Sequence, residues 1–234
     1  MDISKILTHL GEDRAAYMNA VAPPIFQSSN FTFKDVASMR AAIEDEQNTP
    51  FYTRGCNPTV EILRKKVAAL EGTEDALVFG SGTAAIAAAI ISSVKQGEHI
   101  VSVKDPYSWT NKMLTLFLPR FGITHTMVDG TDAENYRAAC QDNTKLFILE
   151  SPNSLTFQLQ DIKAVASIAK EKGVLTLLDN SYTTPLYQKA ADWGIDMIAH
   201  SASKYYGYGL CLFVWSNRAQ RLPMSLHSWS HIQK

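Results

Sequence analysis

What most restricts this chain is an alternation that begins near residue 57 and continues to residue 200. Short apolar runs at 76–79, 100–103, 123–128, 146–149, 174–178 and 195–199 alternate with stretches of helical spacing. Runs of four to six mainly apolar residues bounded by polar and turn residues suit a strand covered on both faces. Repeated with helices between, they predict an α/β fold: a mainly parallel sheet flanked by helices. Two helices announce their ends. Asn57 is placed to cap a helix whose first residue is Pro58 and whose apolar positions Val60, Leu63, Val67 and Leu70 recur until Gly72. Asp161 is placed to cap another, with Ile162, Val165 and Ile168 on one face and Gly173 ending it behind Lys170 and Lys172.

The first fifty residues are weakly periodic and carry the turn-rich segments Ala22-Pro23-Pro24 and Asn48-Thr49-Pro50, which predict an extended arm with one short helix. The organisation read from the sequence is an arm at 1–55, an α/β domain at 56–207 and a tail of different character at 208–234. All 23 acidic residues fall within 1–196, whereas 197–234 holds four basic residues (Lys204, Arg218, Arg221 and Lys234), no acidic one, and two of the four tryptophans.

Composition excludes several classes. The 22 Lys and Arg against 23 Asp and Glu leave a formal charge of −1, so no long-range field draws nucleic acid or an anionic membrane. The longest apolar stretch, 76–91, is interrupted by Gly80-Ser81-Gly82-Thr83 and is too short to span a bilayer. Cys56, Cys140 and Cys211 are too few and too scattered for a disulfide framework or a zinc site, and no metal is expected. Acidic residues among the first apolar ones make the N-terminus a poor secretion signal or presequence, so the expected compartment is the cytoplasm. His9 is expected to be structural and His125, inside an apolar run, a core histidine.

In a parallel α/β sheet, ligands gather beyond the carboxyl ends of the strands. Those positions hold Gly80-Ser81-Gly82, Asp105, Glu150, Asp179 and His200-Ser201. The segment Gly80–Ala85 fits the dinucleotide pattern G-x-G-x-x-A, with Asp105 as a ribose contact. It fits a phosphate turn at a helix start equally well, and a tight turn needing small residues is a third reading. The loop alone does not choose. At the far end, Lys204 lies between Ser201, Ser203 and a Tyr-Tyr-Gly turn. A lysine that condenses with a cofactor aldehyde needs neighbours that hold the cofactor's phosphate, and the two serines could do so.

Several motifs in order carry a resemblance. They are Val21-Ala22-Pro23-Pro24-Ile25-Phe26-Gln27, then Tyr52-Thr53-Arg54 with Asn57-Pro58-Thr59, then Ser81-Gly82-Thr83. Asp105-Pro106-Tyr107, Glu150-Ser151-Pro152, Asp179-Asn180 and Ser201-x-Ser203-Lys204 complete the set. Together they resemble the Cys/Met-metabolism (trans-sulfuration) family of pyridoxal-phosphate enzymes from residue 8 to about residue 207. That family includes cystathionine synthases and lyases and methionine lyases. The resemblance implies the large domain of a fold-type I pyridoxal-phosphate enzyme, pyridoxal 5'-phosphate as cofactor, and an amino-acid substrate of sulfur metabolism undergoing elimination or replacement at Cβ or Cγ. Lys204 is then the cofactor-linked lysine and the general base, Asp179 the partner of the ring nitrogen, and Tyr107 the ring that stacks on the cofactor. The phosphate falls to Ser81, Gly82, Thr83, Ser201 and Ser203. In the family, the Tyr and Arg matching Tyr52 and Arg54 reach the phosphate of a neighbouring subunit, which implies a homo-oligomer.

The chain departs from the family's pattern in places. Ser154 stands where an amide near the ring hydroxyl is usual, with Asn153 just before it. Ser108-Trp109 replaces a Gly-Gly pair, and Ser203 replaces a threonine. Thirty residues follow Lys204, where the family continues into a second domain carrying the arginine for the substrate carboxylate. The resemblance therefore implies a chain lacking the small C-terminal domain, with a truncated or frame-shifted and inactive cofactor-binding fragment as the alternative and an NAD-binding domain as the second. Surface that such a domain would cover is expected to be exposed.

Overall fold

Each apolar run becomes a strand. In the structure, a computed structural model, the described residues are 2–46, 48–207 and the strand 211–215. They divide into two compact units, residues 1–69 and 70–234. The first holds α1 (Ile3–His9), α2 (Val36–Glu44) and most of α3 (Pro58–Glu71). The predicted arm is thus more helical than its sequence suggests: it has two α-helices and a 3-10 turn at Ala15–Tyr17. The start of α2 shows why. Asp35 accepts the Ser38 backbone N–H at 2.7 Å, and the Ser38 hydroxyl faces the Asp35 backbone N–H at 3.3 Å, a reciprocal cap over too short a span to show periodicity. At the head of α3, Asn57 accepts from the Thr59 backbone N–H at 2.9 Å, as the Asn-Pro pair predicts, while its own amide donates to the Phe26 carbonyl at 2.9 Å.

The second unit contains the sheet: β1 (Asp75–Phe79), β2 (His99–Val103), β3 (Thr124–Val128), β4 (Thr144–Glu150), β5 (Leu175–Asp179), β6 (Met197–His200) and β7 (Cys211–Trp215). The spatial order is β1-β7-β6-β5-β4-β2-β3. Strands β2 to β6 are parallel, and β7 runs antiparallel to both its neighbours, β1 and β6. Between the strands lie α4 (Gly82–Ser93), α5 (Ser108–Lys112), α6 (Glu134–Ala139), α7 (Ile162–Lys172) and α8 (Thr184–Tyr187). The predicted mainly parallel sheet is present. The segment 211–215, assigned from the sequence to the tail, is a strand inside it. Cys-Leu-Phe-Val-Trp is a continuous run of strand-favouring apolar residues, the pattern of an interior strand. The rest of the tail lies outside the described residues.

Helix α4 packs on the sheet through Ala85, Ile86, Ala89 and Ile90, joining Ile100, Leu146, Ile148, Leu177 and Met197 in one apolar core. Alanine at 85 and 89 brings the helix close, and that closeness sets the position of its first turn. Helix α7 behaves as its sequence predicts. Asp161 accepts from the Ala164 backbone N–H at 2.9 Å, Ile162, Val165 and Ile168 are buried, and Gly173 closes the helix at φ 70°. His125 lies half-buried on the edge strand β3, not in the core, and burial lowers its pKa. Among the described residues no helix is long and apolar enough to cross a membrane.

Candidate active site at the carboxyl edge of the sheet

Strands β4, β5 and β6 end side by side, and their last residues define the site. Glu150 and Asp179 are partners across the β4–β5 ladder, and Asp179 pairs with Ala199 of β6. A small pocket is lined by Ile86, Thr110, Ile148, Leu149 and Leu177 together with Glu150 and Asp179.

Asp179 is anchored from one side. Its Oδ1 accepts the Ser181 backbone N–H at 3.0 Å and the Ser181 hydroxyl at 2.6 Å. The Ser181 Oγ in turn accepts the Ser201 backbone N–H at 2.6 Å. A chain of three groups therefore fixes the Asp179 carboxylate relative to the segment leading to Lys204. Ser181 has no place in the sequence-based assignment. A small hydroxyl residue two positions after a strand-end aspartate is the signal that could have found it.

The turn after β6 is compact. The Lys204 backbone N–H donates to the Ser201 carbonyl at 3.0 Å, the Gly207 backbone N–H donates to the Lys204 carbonyl at 3.1 Å, and the Ser201 and Ser203 hydroxyls are 3.0 Å apart. Lys204 itself is exposed at the rim. Beside it runs a row of aromatic rings, Phe157, Tyr182 and Tyr205, with successive centroids 5.6 and 5.5 Å apart in edge-to-face contact.

Helix α4 delivers its first turn to the same place. Ser81 is its cap, accepting from the Ala84 backbone N–H at 3.1 Å, and the Ser81 carbonyl accepts from the Ala85 N–H at 3.0 Å. The N–H groups of Gly82 and Thr83 have no acceptor within the helix. A Cβ on Gly82 would come within 3.0 Å of the Ser201 Cβ and 3.2 Å of its hydroxyl oxygen. Only glycine lets the helix start approach the Ser201 turn this closely. The sequence-predicted phosphate residues Ser81, Gly82, Thr83, Ser201 and Ser203 thus come together, with the Ser81 hydroxyl already engaged as the cap.

Glu150 ties two loops. Its Oε2 accepts the Tyr107 backbone N–H at 2.6 Å, and its Oε1 accepts the Ser154 backbone N–H at 2.8 Å and the Ser154 hydroxyl. Burial, then the charge of Asp179, pushes the Glu150 pKa above the usual carboxylate range, with the three donors acting in the opposite direction. Tyr107, half-buried, is held through its backbone at the start of α5. The Ser154 hydroxyl is directed to Glu150. The Asn153 amide nitrogen faces the Thr156 hydroxyl, the Ser154 carbonyl and the Asp105 carbonyl at 3.0–3.1 Å, so that side chain is spent within the loops. Tyr52 and Arg54 lie in the first unit, where the Arg54 guanidinium stacks over the Tyr52 ring at 5.0 Å.

Comparison with known proteins agrees with the fold and with the ordered motifs. The sequence model of the Cys/Met metabolism PLP-dependent enzyme family matches residues 4–209. Cystathionine beta-lyase MetC of Bacillus subtilis is 43% identical over 66% of this chain and 39% of its own length. L-Methionine gamma-lyase of Porphyromonas gingivalis is 41% identical over 81% of this chain and 48% of its own. O-Succinylhomoserine sulfhydrylase of Pseudomonas aeruginosa is 36% identical over 77% and 45%. The chain therefore spans about half the length, or less, of these curated relatives. Among solved structures, MetB of Corynebacterium glutamicum superposes with a TM-score of 0.84 at 29% identity, covering 94% of this chain and 56% of that one. A Campylobacter jejuni protein, MetY, superposes with a TM-score of 0.88 at 24% identity over 96% and 56%, and its crystal structure carries a pyridoxyl-lysine monophosphate. These matches set aside the dinucleotide reading of Gly80–Ala85: the chain belongs to the Cys/Met metabolism PLP-dependent enzyme family, with the fold-type I architecture.

Proposed function

We propose that this chain carries the cofactor-binding part of an enzyme that eliminates or replaces a group at Cβ or Cγ of a sulfur amino acid or an activated homoserine ester. The residues present suit pyridoxal 5'-phosphate. The cradle between Gly82 and Ser201, too narrow for a Cβ, has the N–H groups of a helix start on one side and two hydroxyls on the other, a donor set suited to a phosphate. A carboxylate fixed at a strand end next to that cradle suits a protonated ring nitrogen. This juxtaposition of phosphate cradle and anchored carboxylate carries the proposal.

When bound, pyridoxal 5'-phosphate supplies an aldehyde for an amine and a ring that accepts the electron pair released at Cα. The residues do the rest. Gly82 and Thr83 donate backbone N–H groups to the phosphate, and Ser201 and Ser203 add hydroxyls, with Ser81 holding the helix start in place. Asp179, its Oδ1 fixed by Ser181, holds a proton on the ring nitrogen. Tyr107 would cover the ring face, where an offset aromatic contact contributes about 0.5–1.5 kcal/mol beyond burial. Ser154, its hydroxyl on Glu150, is the residue that would stand nearest the ring hydroxyl. Lys204 is the residue that would carry the cofactor through its amine and, with that amine free, would take the proton from Cα. Tyr52 and Arg54 would reach the phosphate held by a second copy, which would make the assembly a homo-oligomer; the expected location is the cytoplasm. The named relatives comprise lyases and a sulfhydrylase, and the proposal stops at the chemistry they share.

The test is chemical. Purified chain mixed with pyridoxal 5'-phosphate should develop a visible absorption band, and borohydride should then fix the pyridoxyl group on Lys204, located by peptide mass spectrometry. Lys204→Ala should abolish both signals. Label spread over surface lysines, or none at all, overturns the proposal.

A further inference from the structure

Behind the strand ends lies a buried polar cluster that the proposed chemistry does not use. Glu71, the last residue of α3, has no exposed surface, and neither have Asn180 and His200. Glu71 Oε1 accepts from the Asn180 side-chain amide at 3.1 Å and pairs with His200 Nε2. Asn180 also donates to the Gln188 carbonyl at 2.9 Å, and its own Oδ1 accepts from Gln188 Nε2 at 2.7 Å and the Thr183 hydroxyl at 2.5 Å. Gln188 Nε2 continues to the Ser151 carbonyl at 3.0 Å.

The addresses of these groups matter more than their number. Asn180 is the residue after Asp179, His200 the residue before Ser201, and Ser151 the residue after Glu150. One carboxylate therefore reaches the ends of β4, β5 and β6, the three strands whose tips carry the site. His200 also packs edge-to-face against Tyr206, with ring centroids 5.1 Å apart, so the turn holding Lys204 is closed at both ends by one ring pair. Burial, followed by the charge of Glu71, pushes the Tyr206 phenol upward and keeps it neutral.

The cluster is a poor device for stability alone. Burying a carboxylate is costly unless it is fully paired. Here, among the described residues, Glu71 Oε2, His200 Nδ1 and the Tyr206 hydroxyl have no hydrogen-bond partner. An apolar side chain at 71 would avoid that cost but could accept nothing from Asn180 or His200. We propose that Glu71 is a positioning residue: its carboxylate, through Asn180 and His200, sets Asp179 and the Lys204 turn in register with each other. What is being positioned rests on the cofactor-site reading above; the tie itself does not.

Amide hydrogen exchange on the full chain without cofactor tests the tie directly. Glu71→Met keeps the volume and removes the acceptor, whereas Glu71→Gln keeps an acceptor oxygen. Thr176→Val is the control, since it removes the two 2.8 Å hydroxyl bonds of the buried Thr176–Asp196 tie at the opposite ends of β5 and β6, leaving the backbone N–H bond to Asp196. In E71M, exchange at 180–188 and 200–206 should accelerate about tenfold or more, the scale of losing a hydrogen bond to a charged group. E71Q should stay within about threefold of the parent, and T176V should leave both segments unchanged. Acceleration equal in E71M and T176V, acceleration spread evenly over the sheet, or no acceleration in E71M each overturns the proposal. Should E71M fail to fold, His200→Asn decides: it should loosen 200–206 while 180–188 stays protected, and loosening of both or neither overturns the proposal. Borohydride labelling of Lys204 in the parent chain is read separately, so failure of the cofactor reading and failure of the tie give different results.

Discussion

The two glycines of the α4 turn look equivalent in sequence and are not equivalent in space, which makes a paired substitution informative. At Gly80, among the described residues, nothing lies within 4 Å of a new Cβ. At Gly82 the new atom meets the Ser201 Cβ at 3.0 Å, its Oγ at 3.2 Å and its Cα at 3.3 Å. Carbon contacts are optimal near about 3.5–4.0 Å, so a shift of about half an ångström is required. Ser201 cannot readily give it. Its N–H is held by Ser181, its carbonyl by the Lys204 N–H, and its hydroxyl lies against Ser203. Overpacking of this kind costs about 1–3 kcal/mol, and replacing glycine by alanine at a helix start returns at most about 1 kcal/mol. Gly82→Ala should thus lower fold stability by about 0–3 kcal/mol. Affinity for pyridoxal 5'-phosphate has no such offset, because the displaced atoms are the phosphate donors. A loss of about tenfold or more is expected, the equivalent of about 1.4 kcal/mol. Gly80→Ala should bind within about twofold of the parent. Cofactor titration by fluorescence quenching, with urea unfolding of each variant in parallel, measures both quantities. Equal weakening by the two substitutions, or an unchanged dissociation constant in G82A, would refute the assignment of this turn to the phosphate.

Three further outcomes are expected. Glu150→Gln should change the pH dependence of unfolding. A folded-state pKa above the unfolded value means the folded chain holds the extra proton, so the parent loses stability as pH rises from the ordinary glutamate range through the raised value. Urea midpoints of E150Q relative to parent should therefore improve steadily over that window, and a flat or declining difference contradicts the burial argument. Asp161→Ala removes the cap of α7 and should cost about 1 kcal/mol in urea unfolding without altering cofactor affinity. Tyr136→Phe deletes a buried hydroxyl that donates to the Ile148 carbonyl at 2.9 Å, and should cost about 1–3 kcal/mol by the same assay.

The sequence made the sheet legible because an interior parallel strand needs little more than a short apolar run, and six such runs stand clear of their neighbours. Helix ends were legible where a capping side chain precedes a clear apolar periodicity, as at Asn57 and Asp161, or where a glycine can take the left-handed backbone that ends the helix, as at Gly173. The arm was not, since α1 and α2 are too short for periodicity to emerge. Nor was β7: its residues have a strand-like composition, but they follow the last recognisable motif, and their pairing with β1, distant in sequence, leaves no local trace.

The site divides the same way, and the division has a physical cause. Residues proposed to touch the cofactor are marked by chemistry visible along the chain: a lysine flanked by hydroxyls, an acid at a strand end, glycine at a helix start. Residues that hold those groups are marked only by where the fold brings them. Glu71 reads as the last polar residue of an amphipathic helix, Gln188 as loop, Ser181 as turn. Their roles emerge only because the sheet brings residues 71, 151, 180 and 200 together behind one edge. Hydrogen bonds across 109 and 129 residues of sequence, such as those of Glu71 to Asn180 and His200, form only once the strands are already in place. It follows that the supporting cluster should be the last part of the unit to become protected during folding, after the β2–β4–β5 ladder. Pulsed hydrogen exchange showing protection at 200–206 before that at 146–149 would break this link between chain separation and order of assembly.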